Sequence, residues 1–142
     1  MALLVSRIQA DEGGQVMGRD FRKIVAWKLA DDFAIEAYAA TERYFPKEER
    51  FGLTAQFRSA AVAVPANIAE GAGRESLADF RRFLRYAQGS LAEVEYYLHL
   101  AHRLGYIDAE GYRRLESQRA EAGRTLAGLI GWTGAALGRN RG

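Results

Sequence analysis

Six residues near the middle of the chain have side chains that can bind phosphate and stack on nucleobases. At about 100° per residue they fall on one stripe of a predicted helix and its approach, away from the apolar seam: Arg74, Arg81, Arg85, Tyr96, His99 and Arg103. Guanidinium groups fork around phosphate oxygens, and aromatic rings stack on unpaired bases. The stripe therefore favours binding of single-stranded or looped RNA. An ordinary solvated helix face is the alternative interpretation.

A second group of polar residues borders the apolar arc of the preceding predicted helix. Gln56, Asn67 and Glu70 lie on a narrow stripe at one edge of that arc, and Arg58 lies in the same segment. A buried polar group without a partner costs about 1–3 kcal/mol, so each of these side chains is expected to find one. We predict that the four residues form a structural hydrogen-bond network that sets helix register. Contact with a ligand is the alternative.

The residue types required for catalysis are sparse. The two histidines, His99 and His102, lie three residues apart on one predicted helix, and Tyr96 stands where the Glu-x-x-His motif of di-iron bundles needs glutamate. The chain has no cysteine, which excludes disulfides, thiol catalysis and cysteine-ligated metals. The glycines at 71 and 73 lack the preceding strand of a phosphate-binding loop. We predict a protein that is not an enzyme and holds no cofactor or metal.

Composition indicates a single domain with a basic character. The 142 residues carry a net charge of +2 with a pI near 9.0, and 17 of the 20 basic residues are arginine. Abundant arginine suits phosphate binding, and a GC-rich genome produces the same bias. The N-terminal residues lack the apolar stretch of a signal peptide, and no run approaches the roughly 18 apolar residues of a membrane span. We expect a cytoplasmic protein that does not contact membranes.

Hydrophobic periodicity predicts four helices and no strand. The helices are expected over about residues 23–43, 53–73, 77–104 and 109–137, with Ser76 and Asp108 as N-caps and a left-handed cap within 71–73. The third has the cleanest period, with these core residues: Leu77, Phe80, Leu84, Ala87, Leu91, Val94, Leu98 and Ala101. We predict an all-α, antiparallel up-down four-helix bundle over residues 21–138. A loose arm over 1–20 precedes it, and a tail over 139–142 follows.

The second predicted helix is unusually small and apolar. Between residues 53 and 73 only Arg58 and Glu70 carry charge, and seven residues are alanine. A helix that is apolar nearly all round is expected to be buried on several faces. We therefore predict that other copies of the chain cover part of this helix. Pro65 removes one backbone donor, so a kink near Ala61 is also expected.

Several short motifs are specific in their order and spacing: Trp27, Phe45-Pro46, Glu49, Gly52-Leu53, Gln56-Phe57-Arg58, Asn67-Ile68-Ala69-Glu70-Gly71 and Gly89-Ser90-Leu91-Ala92-Glu93. On these residues, over about 21–137, the chain resembles the four-helix-bundle proteins encoded in intervening sequences of bacterial large-subunit ribosomal RNA. Ser59 and Ala63 depart from that pattern, which usually has arginine and often serine there. The resemblance implies a four-helix bundle that assembles as a ring of five. It also implies a relation to the accessory protein of diversity-generating retroelements, which binds a reverse transcriptase and its RNA.

These observations leave three functional interpretations. The first is a non-enzymatic homo-oligomeric ring, a pentamer by resemblance, that binds structured or single-stranded RNA, or DNA, through basic helix faces. The second is an adaptor whose charged surface docks a reverse transcriptase or another enzyme. The third is a structural ring with no nucleic-acid role. Binding that weakens steeply with salt would favour the first interpretation, and a protein partner insensitive to salt would favour the second.

Overall fold

The computed structural model describes residues 19–140, which form four helices and no strand. The helices are α1 (Val25–Tyr44), α2 (Leu53–Ala72), α3 (Leu77–Arg103) and α4 (Ala109–Arg139). Short 3-10 turns at Phe21–Lys23 and Lys47–Glu49 precede α1 and α2. Most of the predicted N-terminal arm lies outside the described residues, as do the last two residues of the predicted tail.

Each helix packs on its neighbours in the chain, and α4 returns to pack on α1. Because the connections are short, consecutive helices run antiparallel, which is consistent with the predicted four-helix bundle. Two buried clusters form the core at opposite ends of the bundle. One contains Phe80 and Leu84 and the other contains Phe57 and Leu98.

The apolar period predicted for α3 is confirmed, since all eight seam residues are buried. Phe83 is buried as well, against the C-terminal end of α2. A Cβ at Gly71 would lie 2.8 Å from the Phe83 Cβ and 3.1 Å from the Phe80 Cδ2. Glycine at position 71 therefore allows α2 and α3 to approach each other closely.

The two predicted N-caps are confirmed. The Ser76 hydroxyl accepts a hydrogen bond from the Asp79 N–H at 3.0 Å, and the Asp108 carboxylate accepts one from the Gly111 N–H at 2.7 Å. Each cap satisfies one of the backbone donors that have no partner at the start of a helix. These caps fix where α3 and α4 begin.

The predicted left-handed cap within 71–73 is wrong. Gly73, which ends α2, has a φ of −81°, and its N–H bonds carbonyls of the last turn in an ordinary right-handed conformation. The positive φ among the described residues lies at Gly105, at 77°, after α3. There the N–H groups of Gly105 and Tyr106 bond the carbonyls of His102 and Ala101, the pattern of a Schellman motif.

Helix α2 is continuous through Pro65 and buries one face against α1 and α3. The opposite face is exposed and carries mostly small side chains, namely Ala55, Gln56, Ser59, Val62, Ala66 and Glu70. The single chain therefore leaves one face of this small, apolar helix exposed, because alanine is tolerated on either side of a helix. Coverage of this face by other copies stays a prediction. Neither α2 nor any other helix within residues 19–140 is long and apolar enough to cross a membrane.

Candidate nucleic-acid interface

Four of the six predicted binding residues are exposed on α3: Arg85, Tyr96, His99 and Arg103. The Tyr96 side chain is 57% exposed. At about 100° per residue, all four lie within about 60° of Arg81 around the helix axis. Because Arg81 contacts α4, the four residues follow the edge of α3 that borders α4. They extend over about 27 Å at 1.5 Å per residue.

Arg81 itself ties α3 to α4. Its Nη1 donates to the Ile130 carbonyl and, at 3.1 Å, to the Thr133 hydroxyl. Gly134 leaves room for this guanidinium, since a Cβ there would lie 3.1 Å from the Arg81 Cζ. The structure thus places Arg81 in helix packing, with little of its charge free to meet a phosphate.

Arg74 lies at the corner between α2 and α3, apart from the other predicted binding residues. It forms an ion pair with Glu70 at 2.9 Å, and its Cζ lies 4.7 Å from the centre of the Phe83 ring. Exposed pairs of this kind contribute about 0–1 kcal/mol, so a phosphate can replace the carboxylate at little cost. The neighbouring Arg82, which pairs with Asp79 at 3.1 Å, has the same character.

A groove between α3 and α4 runs beside the exposed residues. It has a volume of about 400 Å³ and is lined by Gln88, Leu91, Ala92, Glu95, Arg119, Ala120, Gly123, Arg124 and Ala127. The Arg85 guanidinium donates to the Gln88 Oε1 at 3.2 Å, which holds Arg85 at the rim. The groove therefore combines an apolar floor with cations from both helices.

Arg119 is held in this groove by two carboxylates. Its side chain is only 14% exposed, and its Nε and Nη2 donate to the two Glu116 carboxylate oxygens at 2.8 and 2.6 Å. Its Nη1 also lies 3.4 Å from the Glu95 Oε2. The hydrogen bonds to Glu116 raise the pKa of the Arg119 guanidinium above its usual value, against an opposing effect of burial. The side chain therefore stays charged and fixed in direction.

The residues that α4 contributes to the groove were missed from the sequence. Ala120, Gly123 and Ala127 are spaced three and four apart beside Arg119 and Arg124, and this spacing was the available signal. A stripe of small residues next to arginine is also compatible with plain helix packing. The orientation of α4 toward α3 was needed to distinguish the two.

The four residues of the predicted polar network bind separate partners. Arg58 donates to the Thr41 hydroxyl at 2.7 Å, and Gln56 accepts from the Tyr97 hydroxyl at 3.3 Å. Asn67 donates to the Ala63 carbonyl of its own helix at 2.8 Å, and Glu70 pairs with Arg74. Each side chain thus has a partner among the described residues, but these contacts do not join the four into one network.

A second cleft lies at the corner between α1 and α2. It has a volume of about 740 Å³ and is lined by Thr41, Glu42, Phe45, Pro46, Lys47, Arg50, Phe51, Thr54 and Arg58. The Phe51 side chain at its rim is 88% exposed. Phe45-Pro46 and Arg58, which belong to the motifs singled out in the sequence, meet at this cleft. Large apolar side chains exposed beside charged ones are typical of interaction surfaces.

Comparison with known proteins gives a family and a fold. Residues 22–128 match the model of the 23S rRNA-intervening sequence protein family. A crystal structure of a protein of unknown function from the S23 ribosomal protein family of Bacteroides thetaiotaomicron is similar, with a TM-score of 0.70 and 26% sequence identity. The similarity covers 75% of this chain and 95% of that one. A search of curated proteins found no significant match.

Proposed function

This chain belongs to the 23S rRNA-intervening sequence protein family, and on that premise we propose that it is a non-enzymatic protein that binds structured or single-stranded RNA. The binding surface is the edge of α3 that borders α4. The observation that carries the proposal is the set of cations along this edge. Arg85, Arg103 and Arg124 are exposed and form no ion pair with another described residue.

Unpaired arginines of this kind suit a phosphate backbone. Each contact releases counterions from the nucleic acid, and this release drives binding at low salt. Tyr96 lies between Arg85 and Arg103 on the same edge and is exposed enough to stack on an unpaired base. The Glu95 carboxylate beside these residues is paired with Arg119.

We further propose that the protein acts as a homo-oligomeric ring, with five subunits as the resemblance implies. The exposed small-residue face of α2 supports this proposal, because small side chains allow a close approach of another helix. A ring repeats the α3 edge once per subunit, so several weak phosphate contacts act together. Repetition thus compensates for the modest net charge of one chain.

The test of RNA binding is a charge-neutralising variant with a matched control. The triple variant Arg85→Gln, Arg103→Gln and Arg124→Gln removes three cations from the proposed surface and leaves Arg81 in place. The control Lys23→Gln, Lys28→Gln and Arg43→Gln removes three exposed cations near or on α1. Fluorescence anisotropy with a labelled single-stranded RNA should find the first variant at least tenfold weaker than the parent and the control close to it. Equal losses in both variants would reject the assigned surface.

An adaptor role is the second candidate, and the exposed Phe51 favours it. A partner such as a reverse transcriptase would cover this ring and the adjacent cleft. Phe51→Ser should then prevent co-elution with the reverse transcriptase of a diversity-generating retroelement, while Phe51→Leu retains it. RNA binding by both variants should match the parent. Absence of any complex with the parent protein would dismiss this candidate.

A further inference from the structure

We propose that the groove between α3 and α4 holds one unpaired nucleobase, with the phosphates on either side of it bound by Arg85 and Arg124. This inference rests on the proposed RNA-binding function and specifies its substrate as RNA with at least one accessible unpaired base. A duplex keeps its bases stacked inside, so it cannot deliver one to the groove.

The floor of the groove suits a flat aromatic ring. Leu91 is buried at its base, and the walls are made by Ala92, Ala120, Gly123 and Ala127. A Cβ at Gly123 would stand 3.4 Å from the Leu91 Cδ2, so Leu91 lies directly against the backbone of Gly123 and closes the floor of the groove. A volume of about 400 Å³ is at the lower end of small-ligand sites, which are mostly apolar with a few placed polar groups.

The polar groups of the groove favour a base over an apolar protein side chain. The Glu95 carboxylate and the Arg119 guanidinium lie side by side, 3.4 Å apart, and present an acceptor next to donors. The hydrogen-bonding edge of a base also carries donors next to acceptors. Because Arg119 also donates two hydrogen bonds to the Glu116 carboxylate, its guanidinium is oriented before any ligand arrives.

The cations at the rim lie where the backbone of the same nucleotide strand would pass. Arg85 comes from α3 and Arg124 from α4, on opposite walls of the groove. A strand that crosses the groove would thus meet one cation before the inserted base and one after it. The positive rim suits a polyanion better than an acidic surface would, which is why nucleic acid is favoured over a basic peptide.

The inference is tested by comparing two polyanions that differ only in their bases. One is a ten-nucleotide single-stranded RNA of mixed sequence, and the other is an abasic phosphodiester of the same length. The two groove-filling variants, Ala92→Leu and Ala127→Leu, change exposed residues on different helices, and Ala39→Leu on the exposed side of α1 is the matched control. Circular dichroism and size-exclusion chromatography verify that each variant keeps the fold and assembly of the parent.

The parent and Ala39→Leu should bind the RNA at least about fivefold more tightly than the abasic strand, in line with the contribution of one stacked base. Both groove-filling variants should lose most of this preference, leaving what stacking on Tyr96 contributes, while their affinity for the abasic strand stays at the parental value. A preference that both substitutions leave undiminished would overturn the groove as the base site. Equal affinity of the parent for the two strands would exclude a base site altogether but leave phosphate binding intact. Failure of the parent to bind either strand would instead reject the RNA-binding function itself.

Discussion

At the scale of single residues, Arg81 and Gly134 act as one unit. The Arg81 guanidinium bonds the Thr133 hydroxyl and the Ile130 carbonyl across the interface between α3 and α4, and only glycine at 134 leaves this space open. The helical projection grouped Arg81 with the phosphate-binding residues because it compares residues of one helix only. Its partners lie about 50 residues further along the chain, so the sequence around Arg81 does not predict these contacts.

This pairing predicts opposite effects for two glycine substitutions in α4. Alanine is favoured over glycine inside a helix by about 1 kcal/mol, so Gly131→Ala, where a Cβ meets nothing within 4 Å, should raise the free energy of unfolding by about that amount. Gly134→Ala should instead lower the free energy of unfolding by about 1 kcal/mol. The added Cβ would displace the Arg81 guanidinium, which would then lose its hydrogen bonds to α4. Urea denaturation of both variants measures the difference. Equal stabilisation would show that Arg81 can move without loss.

Substitutions of a second pair of glycines test which helix end has the left-handed backbone conformation. Gly105→Ala should destabilise the protein by about 1–2 kcal/mol, since a left-handed φ is unfavourable for any residue with a Cβ. Gly73→Ala should be nearly neutral, because its φ of −81° is ordinary and a Cβ would make only normal contacts. Thermal or urea unfolding should rank the two variants in this order. The reverse order would place the left-handed cap at the end of α2 after all.

At the scale of elements, sequence periodicity was informative where side-chain sizes differ. In α3, large residues such as Phe80 and Leu84 alternate with charged ones such as Arg82 and Arg85, so the buried seam was predicted correctly. In α2, alanine occurs on both the buried and the exposed side, for example Ala61 and Ala66. Because alanine has nearly the same preference for either side, the outward face of α2 became apparent only from the packing.

The exposed face of α2 gives a direct test of assembly. Ala66→Glu adds a charge to an exposed position, so the single chain should keep its helical circular dichroism spectrum. If this face is covered by another copy, the same charge would be buried without a partner, which is costly, and the oligomer should dissociate. Light scattering after size-exclusion chromatography should then find a smaller species for Ala66→Glu than for the parent and for the control Ala39→Glu. An unchanged mass would place the subunit contact elsewhere.

At the scale of the whole molecule, charge is distributed unevenly despite a net value of only +2. Many arginines are neutralised locally, as in the pairs Arg74–Glu70, Arg82–Asp79 and Arg119–Glu116. Within residues 19–140, Arg85 and Arg103 on the edge of α3 and Arg124 on the facing side of α4 are exposed and form no ion pair. The sequence indicated the first two of these, but only the three-dimensional structure brought Arg124 to the same surface.

The salt dependence of RNA binding tests the central claim most directly. The dissociation constant of the parent protein for a labelled single-stranded RNA is measured from about 50 to 300 mM salt, together with the triple variant Arg85→Gln, Arg103→Gln and Arg124→Gln. The logarithm of the parental affinity should fall linearly with the logarithm of the salt concentration, with a slope of about 0.7 per phosphate contact. The variant should reduce that slope by about 2 per bound subunit. Binding that is insensitive to salt, or a slope that the variant leaves unchanged, would contradict the account.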